Sequence, residues 1–137
     1  MKVFNRISRD FSWAEMIHSR TAEDRGIENE PGEKEVVAME ELVKRLLQPL
    51  RLAYGKPIRI SSGYRCPELN KLVGGAPSSQ HVKGEAADCV AEDRAEVLLG
   101  VLLAAELPFD RAILYPKRNF LHLSLRAKRN RKQILFR

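Results

Sequence analysis

The sequence predicts an α+β fold in which helices pack on a small, mostly antiparallel sheet. Two long segments, residues 33–54 and 93–107, carry apolar residues at helical spacing or in a dense apolar run. Several shorter segments either alternate apolar with polar residues or are apolar throughout. They are bounded by turns that contain glycine, proline or charged residues, which is the pattern of β-strands. We find no internal repeat and no long linker, so the 137 residues are predicted to form one domain, residues 1–137.

The helices follow from capping signals and apolar periodicity. Ser12 and Glu15 have the spacing of a capping box, which predicts the start of a short helix. Residues 24–32 are polar and rich in turn formers, so we expect a loop there. Pro49 should bend or restart the second helix because it lacks a backbone donor, and Pro108 should follow the end of the third. The predicted helices are residues 13–19, 33–54 and 93–107.

The strands are short, and a long loop separates the first two. Residues 62–80 contain few long apolar side chains and five glycine or proline residues, so we expect a loop with one helical turn at residues 67–73. Long loops in compact domains are often functional. The predicted strands are residues 58–61, 86–90, 112–115, 120–125 and 133–136.

The net charge of +6 comes from one end of the chain. The last 12 residues contain six basic side chains and no acidic one, whereas the remainder carries 18 of each sign. We expect residues 126–131 to form a charged turn in a final hairpin, where a positive rim favours an anionic polymer or an acidic substrate. The segment has no nucleic-acid motif and its aromatic content is Phe136 alone, so we expect no nucleic-acid partner.

The cysteines and the apolar segments argue against a cysteine-ligated structural zinc site and against a membrane-spanning protein. Cys66 and Cys89 lack the CxxC spacing of a structural zinc site and are predicted to be buried or half-buried free thiols. The longest apolar runs are too short to span a membrane, and the N-terminus has no signal-peptide pattern. Without a signal peptide, the protein is expected to be cytoplasmic as synthesised, and we also expect a monomer.

Three polar side chains stand out from their surroundings: His81, Asp88 and His122. The leucines of residues 120–125 occupy one strand face, so His122 points to the other, toward a polar surface or cleft. Asp88 shares a strand face with small and apolar residues, where a carboxylate is costly unless it is paired or bound to a cation. Two imidazoles and one carboxylate form a three-ligand zinc set with a fourth position open for water. A helix cap, a hydrogen-bonded buried aspartate and a surface histidine are the alternative interpretation.

Several motifs around these residues resemble a known family. Residues 61–70 read SSGYRCPELN, residues 73–75 read VGG, and residues 79–88 read SQHVKGEAAD. Together with FLHLS at residues 120–124, they resemble the M15 zinc peptidases, which include D-alanyl-D-alanine carboxypeptidases and peptidoglycan endopeptidases of phage-lysin type. Further similarity over most of the chain indicates the single-domain branch of that family.

The resemblance implies both a site and a reaction. It makes His81, Asp88 and His122 the ligands of one zinc ion at the open face of the sheet. It makes Arg65 the residue that stabilises the oxyanion and contacts substrate, and Ser79 a residue near the substrate carboxylate, although a helix N-cap role stays open for Ser79. The implied activity is zinc-dependent hydrolysis of a peptide bond in peptidoglycan stem peptide, after release to the cell wall by a lysis or phage-type route.

The chain departs from the family pattern at the expected general base. Members commonly carry Asp or Glu three residues before the last histidine ligand, and this chain has Asn119. Asn119 is a catalytic candidate that can orient water but cannot accept its proton. Tyr115-Pro116 also lacks the glutamate that some related sequences carry, which leaves Asp110, Glu85 or Glu92 as substitutes. The alternative function is therefore a catalytically weak or inactive zinc-containing protein that binds peptidoglycan.

Overall fold

The computed structural model describes residues 5–137 and has the predicted α+β architecture. Helices pack on one face of a five-stranded sheet, and a cavity lies on the other. The helices are α1 (Trp13–Ile17), α2 (Arg20–Arg25), α3 (Glu33–Leu42), α4 (Gln48–Tyr54), α5 (Pro67–Leu72) and α6 (Ala95–Ala104), with a π-helical segment (Val43–Leu47) before α4. The strands are β1 (Arg6–Ser8), β2 (Phe11–Ser12), β3 (Ile58–Ser62), β4 (Ala86–Ala91), β5 (Arg111–Tyr115), β6 (Phe120–Ser124) and β7 (Gln133–Phe136).

The five-stranded sheet is mostly antiparallel, as predicted. Its order is β3-β4-β6-β5-β7, and every neighbouring pair is antiparallel except β5 and β7, which are parallel. The prediction of a final hairpin is wrong, because β7 crosses to the outer edge of β5 instead of pairing with β6. Backbone hydrogen bonds from Lys132 to Phe109 and from Gln133 to Asp110 hold the returning chain at the start of β5.

The apolar core lies between the sheet and the helices. Alternate residues of the central strands point into it, including Cys89 of β4 and Leu121 and Leu123 of β6. The intervening residues Asp88 and His122 therefore face the opposite side of the sheet. The largest fully buried side chains that the helices contribute to the core are Met16, Met39, Leu42, Leu46, Leu47, Leu50, Leu98 and Leu102.

Pro49 restarts its helix, as predicted. The π-helical segment ends at Leu47, α4 begins at Gln48, and Pro49 lies in the first turn of α4. The Gln48 amide donates to the Val43 carbonyl, five residues back, so the regular hydrogen-bond spacing is already interrupted where Pro49 lacks an amide donor. The helical path from α3 to α4 thus accommodates a residue that would break a regular α-helix.

Two elements near the N-terminus are not predicted by the patterns above. β1 and β2 form a two-stranded antiparallel ribbon, and α2 extends into the segment expected to be loop. α1 ends at Ile17, and Ser19 is the N-cap of α2, with its hydroxyl oxygen accepting a hydrogen bond from the Ala22 amide. A serine that looks like the end of one helix therefore begins the next.

The capping box of α1 is only half formed. Ser12 Oγ accepts a hydrogen bond from the Glu15 amide at 3.0 Å, as predicted. The Glu15 carboxylate turns away from the cap and accepts a hydrogen bond from the Ile60 amide instead, and burial raises its pKa. This contact ties α1 to β3, the strand that leads into the SSGYR motif.

α6 is shorter at both ends than predicted. Asp93 lies before the helix because its carboxylate accepts a hydrogen bond from the Tyr54 hydroxyl and pairs with Lys56. At the other end, Glu106 has a left-handed backbone with φ of 53°, which a helix cannot continue through.

Both cysteines are free thiols, as predicted. Cys89 is buried in the core and Cys66 is half-buried. Burial raises the pKa of the Cys89 thiol, so this group stays protonated at neutral pH. Within residues 5–137, no helix has both the length and the apolar character needed to cross a membrane.

Gly63 marks a close approach between α1 and the chain that leaves β3. A Cβ at this position would lie 2.2 Å from the Met16 carbonyl oxygen. Gly63→Ala is expected to lower the free energy of unfolding by about 1–3 kcal/mol, because two backbone segments must separate. Urea denaturation measures this change.

Gly100→Ala is the matched control for that substitution. Gly100 lies inside α6, and an added Cβ would have no atom within 4 Å. Alanine should raise the free energy of unfolding there by about 0.5–1 kcal/mol, because glycine is the poorer helix former. Unchanged stability of Gly63→Ala would contradict the close approach.

Candidate metal centre

The open face of the sheet forms the floor of a cavity of about 900 Å³. Alternate residues of the central strands project into it, including Asp88 of β4, Ile113 of β5 and His122 of β6. The segments after β3 and before β4 supply the walls. All predicted site residues except Asn119 line this cavity: Arg65, Ser79, His81, Asp88 and His122.

His81, Asp88 and His122 form one cluster. Asp88 and His122 are register partners on the adjacent strands β4 and β6, and His122 Nδ1 lies 2.9 Å from Asp88 Oδ1. His81 comes from the turn before β4, and its Nε2 lies 3.3 Å from the same oxygen. One donor atom from each residue lies within 4.8 Å of the other two, so the three can surround a single ion.

Backbone contacts fix the position of the His81 ring. His81 Nδ1 lies 2.7 Å from the Gly63 carbonyl oxygen, so we assign the ring proton to Nδ1. Nε2 then keeps its lone pair on the side of Asp88, where a metal ligand needs it. The Arg65 amide also donates to the His81 carbonyl at 3.1 Å, so the SGYR segment positions a cluster residue as well as its own arginine.

The charges of the cluster suit a divalent cation. Burial opposes ionisation of Asp88, but hydrogen bonding to His122 holds the pKa of its carboxyl well below its ordinary value. Burial lowers the pKa of His122, which keeps its imidazole neutral at neutral pH. An ionised carboxylate and a neutral imidazole are the protonation states in which these groups bind metal.

Arg65 lies beside the cluster, just after β3. A β-bulge between Ile60 and Ser62 ends the regular pairing of β3 opposite Asp88, and bulges of this kind often redirect a chain at a functional site. The Arg65 guanidinium is held by Ser62 Oγ through Nε and by Asn70 Oδ1 through Nη1. Its Nη2 lies 3.9 Å from Asp88 Oδ2, so the group is fixed in place next to the cluster.

Asn70 is a buried positioning residue that is not among the predicted site residues. Its Oδ1 accepts the hydrogen bond from Arg65 at 3.1 Å, and its Nδ2 donates to the Ala76 carbonyl at 2.8 Å. Gly75 provides the necessary space, because a Cβ there would lie 2.0 Å from Asn70 Oδ1. Both residues belong to the sequence motifs that resemble the family. The motifs therefore contain them, but the sequence alone does not show that they position Arg65.

Ser79 is part of a turn and not the N-cap of a helix. Its hydroxyl oxygen accepts a hydrogen bond from the His81 amide at 3.2 Å. The neighbouring Gln80 donates through Nε2 to Glu85 at 3.2 Å and to Asp110 at 3.0 Å. The turn that carries His81 is therefore joined to the start of β5.

Asp110 is fully buried and links this turn to the C-terminal segment. Arg131 donates to its two oxygens through Nε at 3.0 Å and Nη2 at 2.7 Å. The hydrogen bond from Arg131 lowers the pKa of Asp110 to about 2. Asp110 does not line the cavity and is committed to this pair, so it is a poor substitute for the missing general base.

Asn119 has a structural contact away from the cluster. Its Oδ1 accepts a hydrogen bond from the Ala95 amide at 2.9 Å, at the start of α6. No contact within the described part of the chain joins its side chain to the cluster, so the geometry does not support a catalytic role. Tyr115, in contrast, lines the cavity on the same face of β5 as Ile113, with its ring stacked on Phe120.

The fold and the donor set together define a class of protein. Two imidazoles and a carboxylate at the floor of an open cavity, with a fixed arginine beside them, are an arrangement typical of metal-dependent hydrolases. The family model described as Peptidase M15 matches residues 9–124, and the protein belongs to that family. Its members are metallopeptidases that typically use zinc, which implies a peptide substrate. Comparison with curated protein sequences gives no match.

The Asp110 and Arg131 pair makes stability depend on pH in the acid range. The pKa of Asp110 falls from 3.8 to about 2 in the folded protein, so its contribution is complete above pH 4 and is lost as the pH falls toward 2. Asp110→Asn should therefore lower the free energy of unfolding by roughly 1–2 kcal/mol at pH 7, after allowance for screening of the half-exposed Arg131, and the deficit should shrink toward pH 2.

Urea denaturation of both proteins from pH 7 to pH 2 measures this difference. Asp24→Asn is the control, since the Asp24 side chain is 66% exposed and pairs with Arg20 on the surface of α2. That control should match wild type at each pH. A deficit of Asp110→Asn that stays constant down to pH 2 would rule out the proposed ionised pair.

Proposed function

We propose that the protein is a zinc-dependent metallopeptidase that hydrolyses a peptide bond in peptidoglycan stem peptide, as a D-Ala-D-Ala carboxypeptidase or an endopeptidase. The observation that carries this proposal is the cluster of His81, Asp88 and His122, which lies beside Arg65 on the floor of an open cavity. Membership of the Peptidase M15 family supports peptidase activity. The resemblance of the motifs around the cluster to peptidoglycan peptidases supports the choice of substrate.

The three cluster residues fit zinc. Two nitrogen donors and one carboxylate make the ligand set of a catalytic zinc site, which leaves a position free for water or substrate. When bound, zinc supplies a Lewis acid that polarises a carbonyl group and lowers the pKa of water. Asp88 contributes the negative charge, and the Gly63 carbonyl keeps the His81 ring in the ligating tautomer.

Arg65 and Ser79 orient the substrate in this proposal. The Arg65 guanidinium is fixed by Ser62 and Asn70, so its remaining donors meet a carbonyl or terminal carboxylate oxygen without further ordering. The Ser79 oxygen accepts from the His81 amide, which leaves its hydroxyl proton available to a substrate oxygen. Both side chains line the cavity.

Glu85 is the proton acceptor that the cavity offers. Among the described residues, Glu85 and Asp88 are the carboxylates that line it, and Asp88 belongs to the cluster. Glu85 accepts a hydrogen bond from Gln80, whereas Asp110 is buried against Arg131 and Glu92 does not line the cavity. In the proposed reaction, Glu85 accepts the proton of the attacking water and returns it to the leaving amine.

A second candidate function is a weakly active or inactive zinc-containing protein that binds peptidoglycan. Tyr115 favours this candidate, because it faces the cavity from the Tyr115-Pro116 pair, where some related sequences carry a glutamate. Asn119, at the other expected position of an acid, is directed toward α6. The two candidates share the ligand cluster and differ in whether a carboxylate serves as the base.

Hydrolysis of a stem-peptide substrate tests the first candidate. The purified protein should release D-alanine or a peptide fragment, lose this activity in a chelator, and regain it with zinc. Glu85→Gln should lower kcat by about 100-fold or more with little change in KM, because a general base acts in the transition state. Glu92→Gln is the matched control and should leave kcat unchanged. Full activity of Glu85→Gln would exclude Glu85 as the base.

Tyr115→Glu tests the second candidate. If the protein binds muropeptides and zinc but cleaves nothing, a glutamate on this face of β5 should create measurable turnover, because it places a base in the cavity. Tyr115→Gln is the control, since it makes the same change in size without a proton acceptor. Equal lack of turnover in both variants would contradict the idea that only the base is missing.

A further inference from the structure

We propose that Arg111 and Arg126 form an anion-binding subsite at one end of the cavity, which binds a carboxylate of an acidic peptide about two residues from the bond at the metal cluster. This inference rests on the proposed function, because the acidic peptide is the substrate of that site. The subsite gives the protein a preference for substrates with a carboxylate inside the peptide. This preference is separate from any binding of the peptide's terminal carboxylate by Arg65.

The cavity has a strong excess of positive charge. Its two carboxylates are Asp88, which belongs to the cluster, and Glu85, which accepts a hydrogen bond from Gln80. A cavity with this imbalance attracts anionic ligands, and its low-dielectric walls strengthen the attraction. The basic side chains that line it are Arg65, Lys83, Arg111, Arg118, Arg126, Arg131 and Arg137.

Arg111 is oriented toward the cavity by its strand and by one hydrogen bond. It lies on the same face of β5 as Ile113, the register partner of His122. The two positions are two residues apart, which is roughly 7 Å along a strand. Arg111 Nε donates to Gln133 Oε1 at 2.9 Å, and among residues 5–137 its terminal nitrogens have no acidic partner. The guanidinium is thus held at one point and free to bind an anion at the others.

Arg126 follows directly from the end of β6 that pairs with Arg111. Arg111 and Ser124 are register partners, so Arg126 begins the loop at the same end of the cavity. The Arg126 amide donates to Asn130 Oδ1 at 2.7 Å, and Asn130 donates back to the Arg126 carbonyl at 3.1 Å. This reciprocal pair fixes the backbone of Arg126, while its exposed side chain has no acidic partner within the described chain.

Three other arginines that line the cavity do not take part in the subsite. Arg131 is neutralised by its ion pair with Asp110. This ion pair anchors the loop on which Arg126 lies. Arg118 lies over the Phe120 ring, 5.2 Å from its centroid, and Arg137 follows β7 next to Leu114, toward the opposite end of β5. Arg111 and Arg126 are therefore two arginines without an acidic partner at one end of the cavity, the end at which Gln80 holds Glu85 and Asp110 holds Arg131.

The C-terminal part of the subsite lies beyond the region that the family model matches. The family match ends at residue 124, and Arg126, Asn130 and Gln133 all come after it. The C-terminal segment supplies one arginine directly and orients the other through Gln133. A peptide suits this position better than a nucleic acid does, because the arginines lie in the same cavity as the metal cluster. The Phe120 ring is also already covered by Tyr115 and Arg118.

Binding of paired peptides tests the subsite. The probes are Ac-Glu-Ala-D-Ala-D-Ala and Ac-Gln-Ala-D-Ala-D-Ala, each with a reduced, uncleavable terminal amide, titrated calorimetrically into the full chain as purified. The glutamate peptide should bind about 5- to 20-fold more tightly than the glutamine peptide, and the ratio should fall as salt is raised. Equal affinity of the two peptides for the wild-type protein would overturn the proposal.

Paired double variants locate the effect. Arg111→Gln/Arg126→Gln should abolish the preference, whereas Arg118→Gln/Arg137→Gln makes the same change in charge at other cavity positions and should retain it. Gln133→Leu keeps every charge, releases the Arg111 guanidinium, and should reduce the preference about two- to threefold even if the double variant fails to fold. If both double variants lose the preference for the glutamate peptide equally, the preference depends only on net charge, and the subsite proposal is wrong.

The remaining outcomes separate this inference from the proposed function. If cleavable versions of the peptides are not hydrolysed but the arginine-dependent preference persists, the proposed hydrolysis fails and the subsite stands. If both peptides are cleaved with equal kcat/KM and bind equally, the hydrolysis stands and the subsite is wrong. Binding of a single-stranded oligonucleotide through Arg111 and Arg126, with no preference between the peptides, also overturns the proposal.

Discussion

The antiparallel register of β4 and β6 is the constraint on which the site depends. It places Asp88 directly opposite His122, and the same pairing sends the alternate residues, Cys89 and Leu121, into the core. A buried carboxylate is costly unless it is paired, and here His122 Nδ1 lies 2.9 Å from Asp88 Oδ1. A shift of register by one residue would exchange the two faces, and would remove the polar cluster and the apolar core together.

His81 lies on a turn and not on a strand, so its position depends on other contacts. Its ring is held by the Gly63 carbonyl, and its own carbonyl accepts the Arg65 amide. The turn is tied through Gln80 to Asp110, which is itself neutralised by Arg131. The C-terminal segment thus supports the loop that carries His81, although it lies beyond the family match.

The sequence predicts what depends on local patterns and leaves out what depends on contacts between distant segments. Strand alternation correctly places His122 on the face opposite the leucines, and the proline rule correctly restarts the helix at Pro49. The parallel pairing of β7 is not predicted, because a strand pattern carries no information about its partner. Ser19 is ambiguous for a related reason, since a serine between two short helices can belong to either.

Side-chain direction in loops is the other part that sequence reasoning does not reach. Asn119 is three residues before a cluster histidine, yet its left-handed backbone, with φ of 57°, turns its amide oxygen to the first amide of α6. Asn70 shows the converse, because an ordinary motif residue proves to fix Arg65. The identity of the base is therefore decided by which carboxylates face the cavity and not by spacing along the chain.

The central claim is that His81, Asp88 and His122 bind one zinc ion. Anomalous diffraction at the zinc absorption edge, from crystals of the zinc-loaded protein, tests it most directly. We expect a single strong peak about 2.0–2.2 Å from a nitrogen of each histidine and an oxygen of Asp88. Zinc bound at other residues, with this cluster left empty, would contradict it.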